Sequence, residues 1–111
     1  MDVFSIAASG MRAAQAQMSV AANNIANENT PGYKTQSVDL VSVAAGGVAV
    51  AGIVQNNQPV NPITEIVKLK QAAIMYDANA MVVTVASQMY GSLLNILDTQ
   101  NRDADWDNQN S

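Results

Sequence analysis

The sequence predicts a mainly α fold in which two long terminal helices pair as an α-helical hairpin or coiled coil, with a small β-hairpin between them. Three observations predict it. From Asp2 to about Asn27, large apolar residues recur at sevenfold spacing. Between Gln36 and Val54, two β-branched runs flank Gly46-Gly47. From Pro62 to about Asp98, apolar residues follow steps of three and four with no further proline. The expected organisation is one domain over residues 1–98, with a helix at about 2–28, a turn at 29–34, a β-hairpin at about 36–54 and a helix at about 62–98. Residues 99–111 form an acidic tail expected to be disordered.

The first helix carries Phe4, Met11, Met18 and Ile25 at one heptad position and Ala7, Ala14 and Ala21 three residues further on. Small residues at the second position let a partner backbone approach closely, and alanine has the best helix propensity. An ordinary amphipathic helix on a globular core needs only a 3.6-residue stripe, and that reading stays open beside the coiled-coil one. Gly10 within the pattern costs about 1 kcal/mol of propensity, so the helix alone is marginal.

The helix ends in Asn23-Asn24-Ile25-Ala26-Asn27-Glu28-Asn29-Thr30-Pro31-Gly32-Tyr33-Lys34. Asn27 or Asn29 is expected in the left-handed conformation that closes helices, and Pro31 drives Thr30 toward extended backbone. Gly32 then suits the positive-φ position of a type II turn over Thr30 to Tyr33. Beyond it, Val38, Leu40, Val41 and Val43 on one side of Gly46-Gly47 and Val48 to Val54 on the other read as a hairpin with Gly-Gly as its turn. A lone hairpin is marginal, so it must rest on a helix or on another subunit.

Asn61-Pro62 is a helix start, with a side-chain oxygen at the N-cap, proline at the first helical position and Glu65 in the first turn. The helix that follows is a rod of about 55 Å. It shows two neighbouring seams. Ile66, Leu69, Tyr76, Val83, Tyr90, Leu94 and Leu97 lie on one, and Met75, Val82 and Met89 lie on the other with Ala72, Asn79 and Ala86. The first helix covers one seam and the short hairpin too little of the other. Further copies of the chain or a different partner are therefore expected to bury the remainder, since soluble monomers rarely expose large apolar patches. A compact monomer is the alternative.

Composition excludes much chemistry. Cysteine and histidine are both absent, which removes disulfides, thiolate metal sites and the commonest general base. The net charge of −4 comes from five basic and nine acidic residues, and Asp103, Asp105 and Asp107 fall in the tail. Arg12, Lys34, Lys68, Lys70 and Arg102 form no basic stripe, so no nucleic acid is expected. Asp39, Glu65, Asp77 and Asp98 lack metal-loop spacing, and Ser9, Thr30 and Ser87 lack a neighbouring base. Neither a catalyst, a cofactor nor a small-molecule substrate is expected. In the tail, Trp106 is either a partner anchor or simply solvated. The N-terminus lacks the basic region of a secretory signal, so no cleaved signal is expected. Ala78 to Leu97 is uncharged and long enough for a membrane span, but Asn79, Gln88 and Asn95 make that a costly fit to hydrocarbon.

Ser9-Gly10-Met11 and the run from Ala21 to Lys34 resemble the N-terminal signature of the bacterial flagellar basal-body rod and hook family. Asn61-Pro62-Ile63-Thr64-Glu65-Ile66-Val67, Tyr76-Asp77-Ala78-Asn79-Ala80 and the run to Leu97 resemble its C-terminal helix. Gly47 to Val54 is most similar to the family's proximal rod subunits, although only Gln55 to Val60 stands where those carry a longer insertion. The resemblance implies a rod-type structural subunit that assembles with itself and other rod subunits into a helical tube through its terminal helices. It also implies export unfolded through the flagellar type III apparatus into the periplasm-spanning basal body, with terminal helices poorly ordered in the free monomer. A monomeric helical binding or adaptor module is the competing reading.

Overall fold

The computed structural model of the protein describes residues 2–110, with side-chain surroundings for 2–102. The chain forms helix α1 (Val3–Ala26), strands β1 (Gln36–Ser42) and β2 (Val48–Gln55), and helix α2 (Pro62–Asn110). The fold class expected from the sequence is the one observed. The two helices pack against each other, and the hairpin packs on α1 alone, so α1 is sandwiched between α2 and the strands. The result is a thin body 83 Å long.

Asp2 starts α1 by accepting the Ser5 amide at 2.8 Å, which satisfies one of the free N–H groups of the first turn. The other end differs from expectation. Asn27 sits at φ −104°, and no described residue other than glycine has a positive φ. The helix instead closes through Asn27 itself, whose Nδ2 donates to the Asn23 carbonyl at 3.0 Å while its backbone N–H reaches Asn23 and Asn24. A side chain that satisfies the last-turn carbonyls makes a left-handed cap unnecessary. Gly32, at φ 77°, then occupies the third position of a turn closed by the Tyr33 amide on the Thr30 carbonyl at 3.1 Å, as a type II turn requires.

The strands pair antiparallel from Gln36 opposite Gln55 to Ser42 opposite Val48. Asp39 faces Gly52 and Leu40 faces Val50, which leaves Ala51 as a bulge. The connection is longer than the Gly-Gly pair. Gly46 N donates to the Val43 carbonyl at 2.9 Å and Val43 N to the Gly47 carbonyl at 3.0 Å, so the turn takes in Ala44 and Ala45. Ser9, buried on α1, accepts the Val48 amide at 3.1 Å and pins the second strand to the helix.

The polar connector folds back on the first strand, with Thr35 N and Oγ1 both donating to the Gln58 carbonyl at 3.1 Å. Asn61 then caps α2, its Oδ1 accepting from Ile63 and Thr64, as its position before Pro62 predicts. At the far end α2 runs on past Asp98. No proline or glycine follows Gly91, Asp98 pairs with Arg102 at 3.4 Å, and Thr99 Oγ1 donates to the Asn95 carbonyl at 3.0 Å. Polar, acidic composition suggests disorder but contains nothing that stops a helix. The side chains from Asp103 onward, Trp106 included, lie outside the described residues.

Candidate assembly interface

The core between the helices is made of small residues. Ala7, Ala14, Ala21 and Asn24 of α1 are buried, while Phe4, Met11, Met18 and Ile25 are only half-buried. The alanine row, not the row of large residues, is therefore the closely packed one. Gly10 belongs to the same three-four line. A side chain there would meet the Asn79 amide of α2 at 2.6–2.8 Å, so the missing Cβ is what lets Asn79 sit against the α1 backbone.

On α2 the packed line draws alternately on both seams expected from the sequence. Glu65, Ala72 and Ala86 are buried and Leu69, Tyr76, Asn79 and Val83 half-buried, with Tyr90 stacked on Phe4 at a ring separation of 5.6 Å. The pairing of Asn24 with Glu65, Gly10 with Asn79 and Phe4 with Tyr90 makes the helices antiparallel in one register. What α1 does not cover is extensive. Ile66, Met75, Val82, Met89, Leu94 and Leu97 are exposed, Met89 and Leu94 to about two-thirds of their surface. At the start of α1, Val3, Ala86, Met89, Tyr90 and Leu93 line an open apolar notch. Beyond Tyr90, α1 has ended, and every described residue of α2 from Gly91 to Arg102 is exposed.

A further stripe is absent from the two seams. Ile63, Val67, Ile74, Met81 and Val85 are all exposed. Their signal was present as the sevenfold spacing of Val67, Ile74 and Met81. A hairpin of helices leaves no second element to cover such a side. By length and composition α2 also contains a window apolar enough to cross a membrane, and only 6% of that window is buried. The apolar residues of α2 thus far exceed what its own fold uses.

The corner residues do come together, around Asn24. Its side chain is wholly buried and makes every hydrogen bond open to a carboxamide. Nδ2 donates to the Gln36 carbonyl at 2.8 Å and to Glu65 Oε2 at 3.0 Å. Oδ1 accepts from the Gln36 amide at 2.9 Å and the Tyr33 hydroxyl at 2.8 Å. Asn23 donates to the same hydroxyl at 3.1 Å, and Thr30 to Asn27 Oδ1 at 3.1 Å. Pro31 and Gly32 are exposed and act through the backbone. Glu65, read from the sequence as a favourable charge in the first turn of α2, is also the buried partner of Asn24, with Lys68 at 3.8 Å on its open side. Only the fold brings these two together, since they lie 41 positions apart in the sequence.

Among the described residues no group of three or more acidic side chains is arranged to hold a metal ion. The arrangement supports packing and positioning of α1, the first strand and α2.

No curated protein matches the chain. Residues 4–34, which take in α1 from Phe4 and the corner as far as Lys34, match the family described as flagella basal body rod protein, so this part of the chain is similar to that family.

Proposed function

We propose that the chain is a structural subunit of the flagellar basal-body rod, a shortened relative of the proximal rod protein FlgC. It assembles with itself and with other rod subunits into a helical tube. The faces of α2 that α1 leaves open make the contacts, in coiled-coil fashion. The observation that carries this reading is the match of α1 and the corner to the rod family, joined to an α2 whose apolar surface is left largely unused. Burial of a large apolar side chain contributes about 1.5–3 kcal/mol, so several such residues per subunit supply a strong drive to associate. In this reading the chain travels through the flagellar type III apparatus and resides in the periplasm-spanning basal body. A membrane span fits less well, because Gln88 and Asn95 on the uncovered part of α2 would place amides in hydrocarbon.

Met89→Asp and Leu94→Asp test the reading, since both positions are exposed and outside the helix pair's own core. Far-UV circular dichroism of the monomer stays unchanged, while incorporation into basal bodies and motility are lost. Wild-type motility of the double variant refutes assembly through α2. A fully helical monomer across a wide concentration range in sedimentation supports the adaptor reading instead.

A further inference from the structure

We propose that the molecule is a hinge: α1 and the β-hairpin move as one body, α2 as the other, and the Asn24–Glu65 contact is the fulcrum. The strands pack on α1 and not on α2. The Val48 amide on Ser9 Oγ, the Asn24 carboxamide on the Gln36 backbone and the side chain of Ile6 against Gly46 hold them there. The connector belongs to the same body as far as Gln58, whose carbonyl is held by Thr35. Only Pro59 and Val60 separate Gln58 from Asn61, the cap of α2.

The two ends of the helix pair differ in how they are held. At the corner, Asn24 bridges the Gln36 backbone and the buried Glu65 carboxylate, with Val20, Ala21 and Ala72 buried nearby. At the opposite end Phe4 is half-buried under its stack with Tyr90, Tyr90 is half exposed, and the apolar notch beside Val3 lies open. Between them the α1 face of the seam is lined by alanines and Gly10, which bury little area per residue, against Leu69, Tyr76, Asn79 and Val83 of α2, which are only half-buried. A helix pair fixed by a satisfied polar hub at one end and by thin apolar contact elsewhere opens from the weak end. The swing leaves the hairpin seated on α1 and widens the notch into the alanine seam. This goes beyond the rod reading and stands whether or not the chain assembles.

The test uses spin-label pairs, for which the cysteine-free sequence offers a clean background. Labels at Ser5/Gly91, Arg12/Ala78 and Ala22/Val67 span α1 and α2, and Ser5/Ala45 spans α1 and the hairpin. Ser5, Arg12 and Ala22 lie about 28, 18 and 3 Å along α1 from Asn24. The distance distribution at Ser5/Gly91 is expected to be at least about twofold wider than at Ala22/Val67, with Arg12/Ala78 between them, while Ser5/Ala45 stays narrow. Asn24→Ala is expected to widen Ala22/Val67 toward the Ser5/Gly91 value, with helicity monitored in the same sample. Equal widths at the three helix pairs overturn the hinge. So does a Ser5/Ala45 distribution as broad as Ser5/Gly91. An Ala22/Val67 width unchanged by Asn24→Ala removes Asn24 as the fulcrum.

Discussion

Replacing Asn24 with alanine should be among the most damaging single changes in the chain. The substitution deletes four hydrogen bonds, two to the Gln36 backbone, one to the Tyr33 hydroxyl and one to Glu65. Each is worth about 1 kcal/mol net, and a buried partner left unpaired costs about 1–3 kcal/mol more. Glu65, a residue 3% exposed, is the partner with most to lose. Lys68 at 3.8 Å is half exposed and compensates only in part. The sum is about 5–7 kcal/mol, comparable to the lower part of the roughly 5–15 kcal/mol that holds a typical domain folded. Urea unfolding followed by far-UV circular dichroism measures it as a lowered midpoint at unchanged slope. Asn24→Asp separates hydrogen bonding from packing. It keeps the shape but sets a second carboxylate where the amide now donates to Glu65 at 3.0 Å, so it should be at least as destabilising as alanine. Adding Glu65→Gln to Asn24→Asp should recover about 1–2 kcal/mol by restoring a donor. An Asn24→Ala midpoint within about 0.5 kcal/mol of wild type, the range of ordinary surface changes, refutes the hub.

Three further outcomes are expected. Gly10→Ala should destabilise by about 1–2 kcal/mol despite the gain of about 1 kcal/mol in helix propensity, because its Cβ meets the Asn79 amide; Gly10→Ala/Asn79→Ala in the same urea assay should restore the gain. Gly32→Val should cost about 1–3 kcal/mol through backbone strain alone, since no heavy atom stands within 4 Å of a Cβ there, and an unchanged midpoint refutes the positive-φ turn. The Ser5 backbone amide holds the Asp2 carboxyl below its ordinary pKa, so the cap's contribution is fully present above that ordinary value. It is lost as pH falls through the lowered one. Amide exchange in the first turn of α1 should rise over that acid window and lose the dependence in Asp2→Asn.

How legible the chain is depends on the range over which its signals act. The cap at Asn61-Pro62, the turn at Pro31-Gly32 and the helical periods depend on neighbours a few residues away, and each stands in the fold where the sequence places it. The end of α2 is misread from composition because acidity bears on solvation, whereas the backbone ladder needs only the absence of proline and glycine. The two seams of α2 show the limit more sharply. Periodicity finds both Leu69-Tyr76-Val83 and Ala72-Asn79-Ala86, yet α1 settles between them and takes residues from each. Where a helix is apolar on most sides, its own sequence carries no preference for the side a partner will cover.

The sequence by itself therefore determined the types of element and their order, the Asn61 cap of α2, the turn at Pro31-Gly32 and the excess of apolar surface on α2, all of which follow from local backbone and hydration chemistry. Tertiary structure alone decided the antiparallel register, the use of Gly10 as a close approach to Asn79, and the meeting of Asn24 with Glu65. The reason is physical: a buried carboxamide can satisfy its four hydrogen bonds only when α1, the first strand and α2 converge on it, and no stretch of chain contains that convergence.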